Sequence, residues 1–319
     1  MRRLLPAIPA AVLAAGLAAG LAAALPGIGG AQAQTTTRSS PKAVLPDLPL
    51  SILQTLAYVD IAPGRALTLE NGTHRDEART LRLAGHTEAA QALVGELLAH
   101  GDLDGDGTSD AAVLLEETRA GETATTLHLA IVVQRAGRVR NMASLRLGPD
   151  VQVRSLAVAT REALLELLVM GEGDAPGRPT LKMALALKLQ GSEVLVMRQE
   201  PGGKFAPADL AGTAWRLAAA AQSVAVEFAP GDGGGLRLSG RAYCHRFAAG
   251  MDGEGRVLSV AAGAAIASKM LCPPEAARAE RAFLAALAAS ASLAFRYGRL
   301  ALEDGQGGAM VWEPARAQP

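Results

Sequence analysis

The chain has 319 residues, half of them hydrophobic, and its 31 basic and 31 acidic groups cancel at neutral pH. Aromatic residues make up only 3%, and no basic patch is interleaved with them, which excludes the charged grooves and stacking platforms of nucleic-acid binding. About 285 residues remain after the first apolar stretch, ample for two domain cores, and no later apolar run is long enough for a membrane span.

Arg2 and Arg3 precede a nearly uncharged run from Leu4 to Gly30, and Ala31-Gln32-Ala33 supplies the small-x-small pattern of a cleavage site. Residues 1–33 therefore read as a secretory signal peptide, cut after Ala33, which places the protein in the periplasm or the secreted fraction. The alternative is an uncleaved anchor, since the run could cross a hydrocarbon core of roughly 30 Å. No Cys follows it, which argues against a lipidated N-terminus. Cleavage removes two arginines and leaves 29 basic against 31 acidic groups. Residues 34–47, with three Thr, Ser39, Ser40, Pro41 and Pro46, hold too few apolar groups to offset chain entropy and read as a flexible linker.

Residues 48–199 read as a β-rich domain. Leu127, Leu129, Ile131 and Val133 alternate with His128, Ala130, Val132 and Gln134, the period of a strand. Further strands are expected over 139–147, 151–158, 164–170, 181–189 and 193–198. Turn chemistry separates them at Ala136-Gly137, Gly148-Pro149, Gly171 to Arg178 and Gln190-Gly191. A helix is expected from Thr87 to Leu98, where Ala90, Leu93, Val94 and Leu97 share one face.

The sharpest local motif runs from Gly101 to Asp110. Asp102, Asp104, Asp106 and Asp110 occupy positions one, three, five and nine of a loop, Gly107 permits the turn at six, and Thr108 can offer its carbonyl at seven. Such all-oxygen sets converge on one hard cation, and calcium suits a flexible loop better than magnesium. Position twelve is Val113, not Glu, and Ala111 to Leu115 reads as a strand, so the loop is not an EF-hand. It resembles the calcium loops of dockerin and FG-GAP repeats. The alternative is a solvated acidic turn that holds no ion. Glu116 and Glu117 follow on opposite faces of a strand and cannot act together as acid and base.

Residues 200–209, Glu-Pro-Gly-Gly-Lys-Phe-Ala-Pro-Ala-Asp, interrupt the pattern and read as a linker, with a second domain over 210–319. Strands are expected there at 213–218, 224–228, 236–239, 257–261, 293–297, 300–302 and 310–312. One helix should start at Pro273-Pro274, with Glu275 favouring its N-terminal dipole and Ala279, Phe283, Leu284 and Leu287 on one face. Arg278, Glu280 and Arg281 read as its solvated side. The fold class is α+β, mainly β. Cys244 and Cys272 are the two cysteines, and export would join them in a structural disulfide. Neither stands in a C-x-x-C spacing, so a redox or zinc role ranks behind the bridge, and free buried thiols are the remaining alternative.

Several segments of this second part carry a resemblance: Leu210-Ala-Gly-Thr213-Ala-Trp215-Arg-Leu217, Val226-Glu-Phe228, Leu238-Ser239-Gly240-Arg-Ala-Tyr-Cys244-His-Arg-Phe247, Ser268-Lys-Met270-Leu-Cys272-Pro273 and Glu280-Arg-Ala-Phe283-Leu284. In order, spacing and residue type they resemble the META/HslJ domain, a small sheet with one helix. The family more often carries Asn where this chain has His245, and Thr and Ala where it has Ser268 and Leu271. Leu69-Glu-Asn71-Gly72 followed by the acidic loop also resembles the region that precedes META domains in some exported bacterial proteins. The resemblance implies an envelope-associated, stress-linked protein without catalytic activity, and it places Trp215, Phe228, Phe247 and Phe283 in the core.

No Gly-x-Ser-x-Gly elbow, His-Glu-x-x-His pair or phosphate-binding glycine loop occurs. His74, His86, His100, His128 and His245 are dispersed and read as surface or structural residues. The sequence therefore points to an exported, non-enzymatic envelope protein, a binding or structural module that calcium stabilises, whose partner is an unidentified envelope component. A hydrolase inhibitor that inserts the Pro230 to Gly235 turn, or an unrecognised hydrolase, are the alternatives.

Overall fold

Short alternating segments separated by glycine turns make the described chain mainly antiparallel sheet. The computed structural model describes residues 47–85, 98–218, 224–231, 234–261, 265–266 and 271–315. The expected signal peptide, all of its following linker but Asp47, and the Thr87 to Leu98 helix apart from Leu98 lie outside these residues.

A four-residue helix, α1 (Leu50–Leu53), leads into β1 (Ala57–Ala62) and β2 (Arg65–Thr68), which pair as a hairpin. Next come β3 (Thr73–Arg75), β4 (Arg79–Leu83), β5 (Leu98–Gly101), β6 (Asp110–Arg119), β7 (Thr125–Arg135) and β8 (Arg138–Pro149). They form a six-stranded sheet of order β3-β4-β6-β7-β8, with β5 also paired to β6. Strands β9 (Gln152–Ala159), β10 (Glu162–Val169), β11 (Leu181–Gln190) and β12 (Glu193–Lys204) form a meander in reverse order.

The alternation read in β7 sorts its side chains between two cores. Leu127, Leu129, Ile131 and Val133 join Leu165, Leu167 and Leu187 of the meander on one face. Ala130 and Val132 join Tyr58, Leu67, Leu69 and Leu83 beneath the hairpin on the other. β6 and β7 are thus apolar on both faces because both are covered.

The C-terminal strands are β13 (Ala214–Leu217), β14 (Ala225–Pro230), β15 (Leu236–Ala242), β16 (His245–Glu254), β17 (Val257–Val260), β18 (Ala265–Ile266), β19 (Ser292–Arg296), β20 (Arg299–Glu303) and β21 (Ala309–Pro314). Eight of them close on themselves in the order β13-β14-β15-β16-β17-β19-β20-β21, and β21 pairs back to β13. The expected small open sheet is therefore a closed barrel, and closure removes its edges. Strand β16 was not among the expected strands, because Ala248, Gly250 and Gly253 dilute its apolar signal. Phe247, Ala249 and Met251 nevertheless point inward at every second position.

Helix α2 (Pro274–Ala288) begins where the two prolines predict and puts Phe283 and Leu287 into the barrel core. Phe283 packs edge-on between Phe247 and Trp312, with ring centroids 5.2 and 6.0 Å away. With two α-helices among the described residues, one of them a single turn, the fold is mainly β.

Residues 200–209 are not a free linker. Residues up to Lys204 complete β12, which pairs along β11. Pro201 is tolerated because β12 is an edge strand, where a missing N–H costs no ladder bond. The remainder forms a 3-10 turn, Pro207–Leu210, tied back when Lys182 Nζ donates to Asp209 at 2.8 Å. Val44–Pro319 accordingly form one compact unit and do not divide at this point. Phe295 N–H donates to Gln152 Oε1 at 2.9 Å and Gly298 N–H to the Val153 carbonyl at 2.8 Å, which dock β19 of the barrel on β9. No helix among the described residues is long and apolar enough to cross a membrane.

Within the six-stranded sheet Glu116 and Glu117 lie on opposite faces, as expected, but both are buried. Glu116 pairs with Arg82, while Glu117 takes Arg79 at 2.6 Å and His128 Nε2 at 3.1 Å. Burial holds the His128 imidazole below its ordinary value in spite of Glu117. Burial alone would raise the Glu117 carboxyl, but the hydrogen bonds from His128 and Arg119 outweigh it and hold it down. Both depressed groups leave the unfolded chain binding more protons than the folded one, so their stabilisation is complete above their ordinary values and is lost on acidification. Glu116, pushed up by burial, acts in the opposite sense. Stability should fall as pH drops below about 6.5, the ordinary imidazole value, and a His128→Gln variant should show a flatter fall in urea titrations. An identical slope in wild type and variant would refute the role given to His128.

Candidate functional site

Two clusters of metal-ligating side chains occur among the described residues, and the first is the expected acidic loop. It joins β5 to β6, and Gly105 and Gly107 both adopt left-handed φ values, +87° and +83°. A side chain at Gly105 would also strike the Arg161 guanidinium. The loop is organised by its own carboxylates. Asp102 accepts the N–H groups of Gly105 and Gly107, Asp104 accepts that of Asp106 at 3.0 Å, and Asp106 accepts that of Thr108 at 2.8 Å. These bonds bring one oxygen each from Asp102, Asp104 and Asp106 within 4.8 Å of one another.

Asp110 and Thr108 are placed differently. Asp110 is fully buried, and its carboxylate accepts the N–H groups of Leu103 at 2.9 Å, Asp104 at 3.2 Å and Gln134 at 2.9 Å. It pins the loop to β7 and does not belong to the three-carboxylate group. Burial pushes its carboxyl above the ordinary range, against the opposing pull of those donors. The Thr108 hydroxyl lies 2.6 Å from both Asp106 Oδ1 and the Gln134 carbonyl, a second tie to β7. The hydroxyl and N–H of Thr108 hold the exposed Asp106 carboxyl below its usual range. Two arginines also reach the loop: Arg135 Nε donates to Asp104 Oδ2 and Arg161 Nη2 to the Asp104 carbonyl, each at 2.6 Å.

The second cluster lies on the barrel, and the sequence reading missed it as a cluster. Cys244 and Cys272 are joined in a disulfide with Cα atoms 6.1 Å apart, the expected bridge. His245 Nδ1 stands 2.6 Å from Glu280 Oε1, and Glu280 Oε2 accepts the N–H groups of Cys244 at 3.2 Å and His245 at 2.8 Å. Glu280 is only 4% exposed, a correction to the solvated face expected for it. It stands at helical spacing with Phe283 and Leu287, the signal that could have placed it inward. Burial would raise its carboxyl, yet the N–H and ring of His245 and the N–H of Cys244 hold it below the ordinary value. The imidazole lies against Cys272 Sγ, 3.4 Å from Nε2 and 3.5 Å from Nδ1.

Trp215, Phe228, Phe247 and Phe283 are buried in the barrel core, as expected. His74 and His100 sit beside Asp76 and Asp47, 3.3 and 3.7 Å away, and His86 lies outside the described residues.

Compared with known families, residues 202–317 match the model of the META domain. The C-terminal part of the chain is a META domain. The match begins at Gly202, inside β12, so the META region takes in the 3-10 turn and Phe205 as well as the barrel. No curated protein and no solved structure matches the chain. The META barrel thus carries the disulfide cluster, and the acidic loop lies outside the matched residues.

Because Asp110 is a structural pin, Asp110→Ala strands three backbone donors. It should destabilise the chain by about 2 kcal/mol or more, at about 1–3 kcal/mol for an unsatisfied buried donor. The loss should be as large in chelator as in calcium. A thermal melt in chelator that matched wild type would contradict this assignment.

Proposed function

We propose that the chain is an exported, non-enzymatic protein of the bacterial envelope, a binding and structural module in which calcium braces the N-terminal sheets and the META barrel engages a partner. The observation that carries the reading is the acidic loop: three carboxylates held together by backbone donors, with a buried fourth fastening them to β7. Asp102, Asp104 and Asp106 would supply the oxygens, and Thr108 a carbonyl. The residues fit a hard cation, although Arg135 already occupies one oxygen of Asp104. Bound calcium would neutralise the loop and clamp β5 against β6. The chain's own residues do the rest, Asp110 anchoring the loop and Arg161 capping it.

The partner is an anionic envelope component, on the following grounds. The outer faces of β14, β15 and β16 form a hollow of about 590 Å³ lined by Glu227, Arg237, Arg241 and Arg246. Arg241 stands directly opposite Arg246 across the ladder. Like charges so placed repel, and an anionic group between them would relieve the repulsion. A single carboxylate, Glu227, offsets three guanidinium groups.

Without a bidentate glutamate the loop should bind calcium on the order of 10⁻⁴ M, and calcium at about ten times that constant should add roughly 1.4 kcal/mol to the folded state. Thermal melts should show a calcium-dependent rise that Asp104→Ala or Asp106→Ala removes; an unchanged melt in millimolar calcium or chelator would reject the ion. Capture from native envelope extract should weaken with salt and with the Arg241→Glu/Arg246→Glu pair. Undiminished capture by that variant would move the interface elsewhere.

A further inference from the structure

The disulfide, the imidazole and the buried carboxylate together have the parts of a metal site. We propose that, once the Cys244–Cys272 bond is reduced, Cys244, Cys272 and His245 bind one zinc ion, with Glu280 orienting the imidazole from behind.

The ligand atoms are already gathered. One atom each from Cys244, His245 and Cys272 lies within 4.8 Å of the others. A tetrahedral ion with Zn–S near 2.3 Å and Zn–N near 2.0–2.1 Å sets its ligands about 3.5–4 Å apart. Cutting the S–S bond therefore asks the two sulfurs to separate by a small rotation of each side chain, not by a change of backbone. The imidazole of His245 lies against Cys272 Sγ, with Nε2 at 3.4 Å and Nδ1 at 3.5 Å, and Nε2 is the ring nitrogen that Glu280 leaves to a metal.

The support behind the imidazole is also present. Metal-binding histidines commonly give their other ring N–H to a carboxylate, which fixes tautomer and orientation and raises basicity. Here Nδ1 donates to Glu280 Oε1 at 2.6 Å, and Glu280 is itself fixed by the N–H groups of Cys244 and His245. Burying this carboxylate in a helix face otherwise occupied by Phe283 and Leu287 is costly unless it is paired. The set is of the two-thiolate, one-imidazole type, which leaves a fourth position for water or a ligand.

The chemistry balances with a dithiol or a phosphine as reductant. A phosphine takes oxygen from water and becomes its oxide, the S–S bond breaks, and each sulfur receives one of the water's protons. Zinc then displaces both thiol protons to solvent, and the two thiolates and His245 Nε2 become its ligands. Oxidised and reduced chains are in this account two states of one site, a bridge and a zinc clasp. It stands independently of the calcium reading, which concerns a different part of the chain.

The full chain, reduced with a phosphine and desalted without oxygen, should retain one equivalent of zinc by elemental analysis, and the unreduced chain none at this site. Cobalt in place of zinc should show a thiolate-to-metal charge-transfer band. The Cys244→Ser/Cys272→Ser pair should lose both signals, which separates this site from ions held by the acidic loop. Glu280→Gln should weaken binding about 10–100-fold, the usual effect of losing such a support. Should that variant not fold, His245→Asn, which removes the imidazole ligand, should weaken binding at least as much while Trp emission reports an intact barrel. Zinc held equally by the double serine variant or by the unreduced chain, cobalt without the charge-transfer band, or unchanged affinity in His245→Asn would each overturn the proposal.

Discussion

The guanidinium of Arg154 packs against a pair of touching aromatic rings, 5.5 Å from the centroid of Phe205 and 5.3 Å from that of Phe295, and the layers of the molecule meet there. Arg154 belongs to β9, Phe295 to β19 of the barrel, and Phe205 follows β12. The two rings touch edge to face at 5.4 Å. A cation over an aromatic face is worth about 0.5–2 kcal/mol, and the neighbouring bonds of Gln152 and Val153 to the barrel backbone add direction. With this seam in place, the far side of the meander can cover β6 and β7, whose other face is covered by the hairpin. Remove the seam, and the meander would expose apolar surface toward solvent.

The same stacking positions the acidic loop. Gly101 at the end of β5 lies so close to β9 that a side chain there would run into Val158, and Arg161, just after β9, caps the loop through the Asp104 carbonyl. The loop is therefore gripped from β7 by way of Asp110 and Thr108 and from the meander by way of Arg161. An ion bound there would reinforce contacts between two sheets, which is a structural task and not a chemical one.

Most strands were legible in the sequence because alternation survives wherever one face is buried. The double burial of β7 was not read from that alternation, although Ala130 and Val132 are apolar on the second face as well. Three features escaped for identifiable reasons. Pro201-Gly202-Gly203 has the chemistry of a break, and only its position on a sheet edge lets it remain strand. β16 has alanine or glycine at four of its ten positions, which carry little apolar signal. Closure of the barrel depends on pairing between β13 and β21, nearly a hundred residues apart, and no local pattern reports such a contact. At the candidate sites, the acidic loop was legible because its carboxylates fall within a few residues of one another in sequence. The cluster of His245, Cys272 and Glu280 is brought together only by the packing of α2, although Glu280 on the apolar stripe of that helix was a signal to be used.

If the seam makes one cooperative body of the META barrel and the sheets before it, the two must unfold together. Both tryptophans, Trp215 and Trp312, lie in the barrel, so their emission reports the barrel alone, while hydrogen exchange of the β6 and β7 amides reports the six-stranded sheet. Urea titration of the intact chain with both probes should give coincident midpoints, as expected of a single two-state transition. A barrel signal that is lost at a different urea concentration from the sheet signal would contradict this account.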